Sequence, residues 1–122
     1  MVKVLVSDPI DKEGLAPLTS NPKFDVTIKT GLKPEDLLRE VGNADVLLVR
    51  SETKVTPTVL ESGKNLRLVG RAGVGVDNID LAAASKQGVI VMNVPGGNTV
   101  SAAEHTVSLI MAMAHHIAAA DA

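Results

Sequence analysis

The chain has 122 residues, 45% of them hydrophobic, with no cysteine and Phe24 as the lone aromatic. It is long enough for one buried core, which must be aliphatic, and without thiols it has neither a disulfide scaffold nor a thiolate metal site. Twelve basic and fourteen acidic residues leave a formal charge of −2 with no run of either sign, which argues against nucleic acid or an anionic membrane as partner.

Five short apolar runs recur along the chain: Val2 to Val6, Phe24 to Ile28, Val46 to Val49, Leu66 to Val69 and Val89 to Met92. Each reads as a strand buried on both faces. Between them lie helical segments, namely Asp11 to Leu18, Pro34 to Val41, Pro57 to Glu61, Ile79 to Lys86 and a long closing run from Thr99 to Ala119. Pro34 and Pro57 suit first helical turns, and Gly63 and Gly88 suit helix ends. Regular alternation predicts an α/β fold, a flavodoxin-like open parallel sheet of five strands in the order 2-1-3-4-5 with helices on both faces. Its ligand crevice is expected where the order reverses, between the first and third strands.

In the closing run, Ser101 and Glu104 form a capping-box pattern, with Asn98 as the alternative cap. Val100, Ala103, Val107, Ile110, Ala114 and Ile117 make one apolar stripe. It is expected to fold back onto the sheet of a monomer rather than to pair with a second copy. The longest nearly apolar stretch, Val107 to Ala114, is too short to span a bilayer, and the opening residues do not read as a signal peptide. A soluble cytoplasmic domain is the expectation.

The chemistry is concentrated in LRLVGRAGVGVDNIDL, Leu66 to Leu81, which reads as a strand, a glycine-spaced turn and a helix start. Gly73 and Gly75 give the backbone freedom, and turn amides beside a helix N-terminus can face a carboxylate or phosphate. Asn78 stands where the third glycine of the dinucleotide pattern G-x-G-x-x-G belongs, so the turn by itself is a poor dinucleotide site. A ligand-free structural turn is the other reading. Polar residues also follow the other strands: Ser7 and Asp8 after the first, Arg50 to Thr53 after the third, and Asn93 to Asn98 after the fifth. Arg50 and Arg71 with the turn amides suit a small polyanion, because arginine offers paired planar donors and stays charged. The competing reading gives each arginine an exposed ion pair, such as Arg50 with Glu52.

The three histidines do not make a catalytic or metal site. Glu104 and His105 are adjacent on a helix and point about 100° apart, and no histidine has a partner four residues away. The methionines read as core fillers. A phosphoacceptor receiver would need a carboxylate where the third strand ends in Arg50 and a lysine where the fifth ends in Asn93. A flavin carrier would need a phosphate loop after the first strand, where Ser7-Asp8-Pro9-Ile10-Asp11 stands, and stacking aromatics.

The opening VKVLVSDPID, VRSETKVT from Val49, and NLRLVGRAGVGVDNIDLAAASKQGVIVMNVPGGNTVSAAEHT from Asn65 resemble the N-terminal portion of the NAD-dependent D-2-hydroxyacid dehydrogenases, in particular the phosphoglycerate branch. The resemblance implies a single domain over 1–122, with a substrate-binding region at 1–97. The helix over 98–122 would lead, in the family, into a nucleotide-binding domain that this chain does not carry. It implies that Gly73, Val74 and Gly75 receive a substrate carboxylate, that Arg50, Ser51 and Arg71 line the phosphoglycerate site, and that Val74 adjoins the nicotinamide. The intact enzyme would oxidise D-3-phosphoglycerate with NAD in serine biosynthesis. This chain would carry no catalytic residue, metal or cofactor, would bind 3-phosphoglycerate weakly at best, and would not turn over. The alternative is a free-standing or engineered flavodoxin-like module with no ligand.

Overall fold

A computed structural model describes residues 1–73 and 75–93. The elements run β1 (Val2–Val6), α1 (Lys12–Thr19), β2 (Phe24–Ile28), α2 (Pro34–Val41), β3 (Val46–Val49), α3 (Pro57–Ser62), β4 (Leu68–Arg71), α4 (Leu81–Gln87) and β5 (Ile90–Asn93). The sheet is parallel throughout, in the order β2-β1-β3-β4-β5. The expected closing helix, with its stripe and its three histidines, lies outside the described residues, as does Val74.

Alternation along the strands builds two cores, because successive side chains leave a strand on opposite faces. Val4, Val6, Val46, Leu48 and Leu68 face α1 and bury its Leu15 and Leu18. Leu5, Leu47, Val49 and Val69 face the other way and receive Leu37 and Val41 of α2, Val59 and Leu60 of α3, and Ala84 of α4. Each buried Leu or Val contributes roughly 1.5–3 kcal/mol relative to exposure, so an aliphatic core suffices without aromatics.

Local chemistry starts and stops the helices. Asp11, Thr56 and Asp80 cap α1, α3 and α4 by accepting the backbone N–H groups of Glu13, Val59 and Ala83. Pro34 opens α2 with Glu35 and Asp36 in its first turn. Gly88 ends α4 in the left-handed region, at φ +77°.

Two expectations are corrected. The strands are not all buried on both faces: β2 and β5 are the edges, and Ile28 and Ile90 are exposed. The fourth and fifth strands also begin and end later than their apolar runs. Leu66 is drawn into a turn whose N–H reaches the Gly63 carbonyl at 3.0 Å, and pairing continues to Val49↔Arg71 and Arg71↔Asn93. Parallel pairing is a backbone property, so it runs on past the last apolar side chain.

Candidate functional site

The loops that follow β1, β3 and β4 meet at the carboxyl edge of the sheet. The β1–β3 ladder reaches Ser7 N–H, which donates to Leu48 O at 3.1 Å. The next rung is made by a side chain. One carboxylate oxygen of the buried Asp8 accepts the backbone N–H of Arg50 at 2.7 Å and that of Thr53 at 3.0 Å. Its other oxygen accepts the Thr53 hydroxyl at 2.6 Å, and the Ser7 hydroxyl stands 2.9 Å from the same Thr53 oxygen. Four residues of loop are thereby folded around one carboxylate.

The same loop is held from the β4 side. Asn78 is buried, and its amide nitrogen donates to the carbonyls of Arg50 at 2.6 Å and Thr53 at 2.7 Å. Flipping the carboxamide would set its oxygen against both carbonyls, so the donor orientation is the only one the environment accepts. Its oxygen, Oδ1, is buried without a partner. Beyond it, Val55 N–H donates to Asn78 O at 2.8 Å and Asp80 N–H to Val55 O at 3.0 Å, an isolated bridge Val55↔Ile79. The loops after β3 and β4 are stitched into one unit.

Arg71 ends β4, directly opposite Val49, so Arg50 and Ser51 lie beside the turn that carries Gly73 and Gly75. The two arginine side chains are held differently. Arg50 donates from Nη1 to Pro9 O at 3.2 Å, and not to Glu52 as the ion-pair reading had it. Arg71 is buried; its Nη1 donates to Asp77 Oδ1 at 2.9 Å and its Nε is buried without a partner. For Arg71 the ion-pair reading therefore holds in part, with an exposed carboxylate as the acid. The Asp77 carboxyl is held below its ordinary value, first by a hydrogen bond from its own backbone N–H and then by the Arg71 guanidinium.

The turn differs from the expected anion cradle in two ways. Among the described residues Gly31 and Gly88 have positive φ and Gly73 does not, so a left-handed backbone is not what Gly73 supplies. Gly75 supplies space: a Cβ there would stand 2.9 Å from Arg71 Nη1, whereas one on Gly73 would make ordinary contact, 3.7 Å from Arg71 Nε. The turn also does not run straight into a helix, since α4 begins at Leu81 and its first turn is capped by Asp80. The third-glycine position of the dinucleotide pattern is filled by Asn78, buried and with its amide nitrogen engaged by two carbonyls.

A cavity of about 500 Å³ opens at the β1/β3 switch point, where the crevice was expected. Ser7, Asp8 and Thr53 line it on one side, and Leu32, Leu37 and Val59 on the other. Neither arginine lines it, so the expected crevice and the expected charged residues are adjacent but distinct. Among the described residues no group of three or more metal-ligating side chains gathers, and no helix is long and apolar enough to cross a membrane.

Asp8, Thr53 and Asn78 are the residues that sequence reasoning left unassigned. Asp8 and Thr53 stood at strand ends among other polar residues, and Asn78 read as a missing glycine. The available signal was their type: a carboxylate, a hydroxyl and a carboxamide at the ends of central parallel strands, where burial demands partners.

An open 2-1-3-4-5 sheet with two arginines and a glycine turn at the carboxyl ends of neighbouring strands defines a flavodoxin-like α/β domain with a polar sheet edge. Residues 4–120 match the family described as D-isomer specific 2-hydroxyacid dehydrogenase, catalytic domain, and the chain belongs to that family. It is 48% identical over 120 residues to D-3-phosphoglycerate dehydrogenase of Archaeoglobus fulgidus, covering 98% of this chain and 23% of that protein. It is 43% identical to hydroxypyruvate reductase of Thermotoga maritima, covering 97% of this chain and 38% of the relative. Among solved structures, NAD+-bound 3-phosphoglycerate dehydrogenase of Entamoeba histolytica superimposes with a TM-score of 0.69 at 25% identity, over 76% of this chain and 33% of that one. A protein of Pyrococcus horikoshii OT3 does so with a TM-score of 0.71 at 32% identity, over 80% of this chain and 28% of that one. The chain thus spans under two fifths of the length of each of these relatives.

Proposed function

We propose that this chain is the substrate-binding region of a D-3-phosphoglycerate dehydrogenase, an enzyme that oxidises D-3-phosphoglycerate to 3-phosphohydroxypyruvate with NAD in the cytoplasmic synthesis of serine. The observation that carries the reading is the Val49↔Arg71 pairing, which sets the Arg50-Ser51 loop beside the Arg71 to Gly75 turn. Arginine donors and backbone amides at one sheet edge suit a ligand with a carboxylate at one end and a phosphate at the other. The 48% identity to a phosphoglycerate dehydrogenase supports that choice over other 2-hydroxy acids.

In this reading Arg50, Ser51 and Arg71 hold the phosphoglycerate anion, Gly73, Val74 and Gly75 receive the carboxylate, and Val74 adjoins the nicotinamide. NAD supplies hydride chemistry in the intact enzyme; this chain's own residues bind and orient the substrate. By itself the chain is a monomer that binds 3-phosphoglycerate at millimolar strength or weaker, since solvent screens one side of the charges. It does not reduce NAD.

The test is a titration of 3-phosphoglycerate followed by amide chemical shifts. Shifts are expected at 50–51 and 71–75, with no NAD reduction in a parallel assay. Absence of shifts at those positions would favour a flavodoxin-like module without a ligand.

A further inference from the structure

We propose that Asp8 and Asn78 are positioning residues for the anion site: acting from opposite sides, they hold the Arg50–Thr53 loop in the one shape that presents Arg50 and Ser51 beside Arg71. The inference rests on the substrate reading above and adds to it the device that orders the site.

Arg50 and Ser51 follow a strand of only four residues, and Ser51 and Glu52 are exposed, so nothing apolar pins them. The loop is pinned instead through its polar backbone. Asp8 takes the N–H groups of Arg50 and Thr53, and Asn78 gives its two N–H bonds to the carbonyls of the same two residues. Both ends of a four-residue loop are thus gripped at donor and at acceptor by two buried side chains that stand on different elements. Thr53 completes the grip by donating its hydroxyl to Asp8. Ser51 lies between the gripped residues, and the Arg50 side chain departs from one of them. Bonds of this kind hold a loop without contributing any group to the ligand, and they are strongest where water is excluded. Both arms come from residues 25 or more positions away in sequence, so the loop takes this shape only in the folded sheet.

The test uses the 122-residue chain with three separate changes. Asn78→Ala removes both donors; Thr53→Val removes the hydroxyl shared with Asp8 while keeping the side chain's shape; Leu18→Val is a core control on the α1 face. Hydrogen exchange reads the loop without any ligand. Asn78→Ala is expected to speed exchange at the Arg50 and Thr53 amides by roughly tenfold or more relative to Leu47, whereas Leu18→Val changes no amide of the loop selectively. With 3-phosphoglycerate as probe, the dissociation constant is expected to rise roughly tenfold in Asn78→Ala and to stay unchanged in Leu18→Val. If Asn78→Ala does not fold, Thr53→Val carries the same comparison. Unaltered protection at Arg50 and Thr53, or unaltered affinity in a chain that binds, would overturn the proposal. If the unaltered chain shows no shifts with 3-phosphoglycerate, the substrate reading fails, and exchange at Arg50 and Thr53 decides whether the clamp exists.

Discussion

Gly75 and Arg71 share one space: a Cβ at position 75 would lie 2.9 Å from Nη1 of the arginine and 3.2 Å from Oδ1 of Asp77. The guanidinium therefore sits against Asp77 because residue 75 has no side chain. The atom in conflict is the far end of a flexible side chain, so Gly75→Ala should shift the arginine rather than unfold the domain. The expected result is loss of the Arg71–Asp77 contact and weaker binding of sulfate or 3-phosphoglycerate, with the urea midpoint little changed. Retained affinity would show that Arg71 serves the turn and not a ligand.

Arg71→Ala tests the charge itself. A hydrogen bond to a charged group is worth about 1.5–3 kcal/mol, so removal should weaken 3-phosphoglycerate binding by roughly tenfold or more. Arg71→Lys should recover only part of it, since an ammonium cannot offer two parallel donors. Titration by amide shifts measures both, and equal affinity for all three chains would remove Arg71 from the site.

Asp77 gives the turn a pH signature. Its folded value lies below the ordinary 3.8, so its contribution to stability is fully present above 3.8 and is lost as pH falls through the depressed value. No change from this group is expected across the neutral range. Carboxyl shifts followed by NMR should show titration below 3.8 in the unaltered chain. Arg71→Ala should raise the value only partway, because the hydrogen bond from the residue's own backbone N–H, the largest single cause, remains.

Two helix-ending glycines should respond differently to alanine. Gly63 has an unremarkable φ of −85°, but a Cβ there would meet Leu66 Cβ and Val41 Cγ1, each at 2.8 Å. Gly63→Ala is overpacking against near-rigid atoms and should cost about 1–3 kcal/mol. Gly88 has open space around it, and its φ of +77° is the obstacle. Gly88→Ala should cost about 1–2 kcal/mol, and Gly88→Asn less, because asparagine tolerates that conformation. Urea unfolding with unchanged m-values measures all three.

The sheet was legible because its determinants are local. Runs such as Val46 to Val49 are too apolar to lie anywhere but inside, and Pro34, Pro57, Gly63 and Gly88 mark helix ends through their own backbone preferences. Alternation of such units admits few topologies, so the order 2-1-3-4-5 followed from pattern alone. Pattern also brought Arg50 and Arg71 to the same edge, since each follows or ends a strand and parallel strands end together.

What the residues of the site do for one another was decided only by the tertiary structure. Asp8 meets Arg50 across 42 positions, and Asn78 meets the same residue across 28, so neither bond has a local signature. Asn78 read as a failed glycine and proved to be a double donor to two carbonyls. Gly75 read as a conformational device and proves to clear space for a buried guanidinium. Burial is the physical reason: a polar group removed from water must find a partner among whatever the fold sets beside it, and that neighbourhood does not exist until the strands have paired.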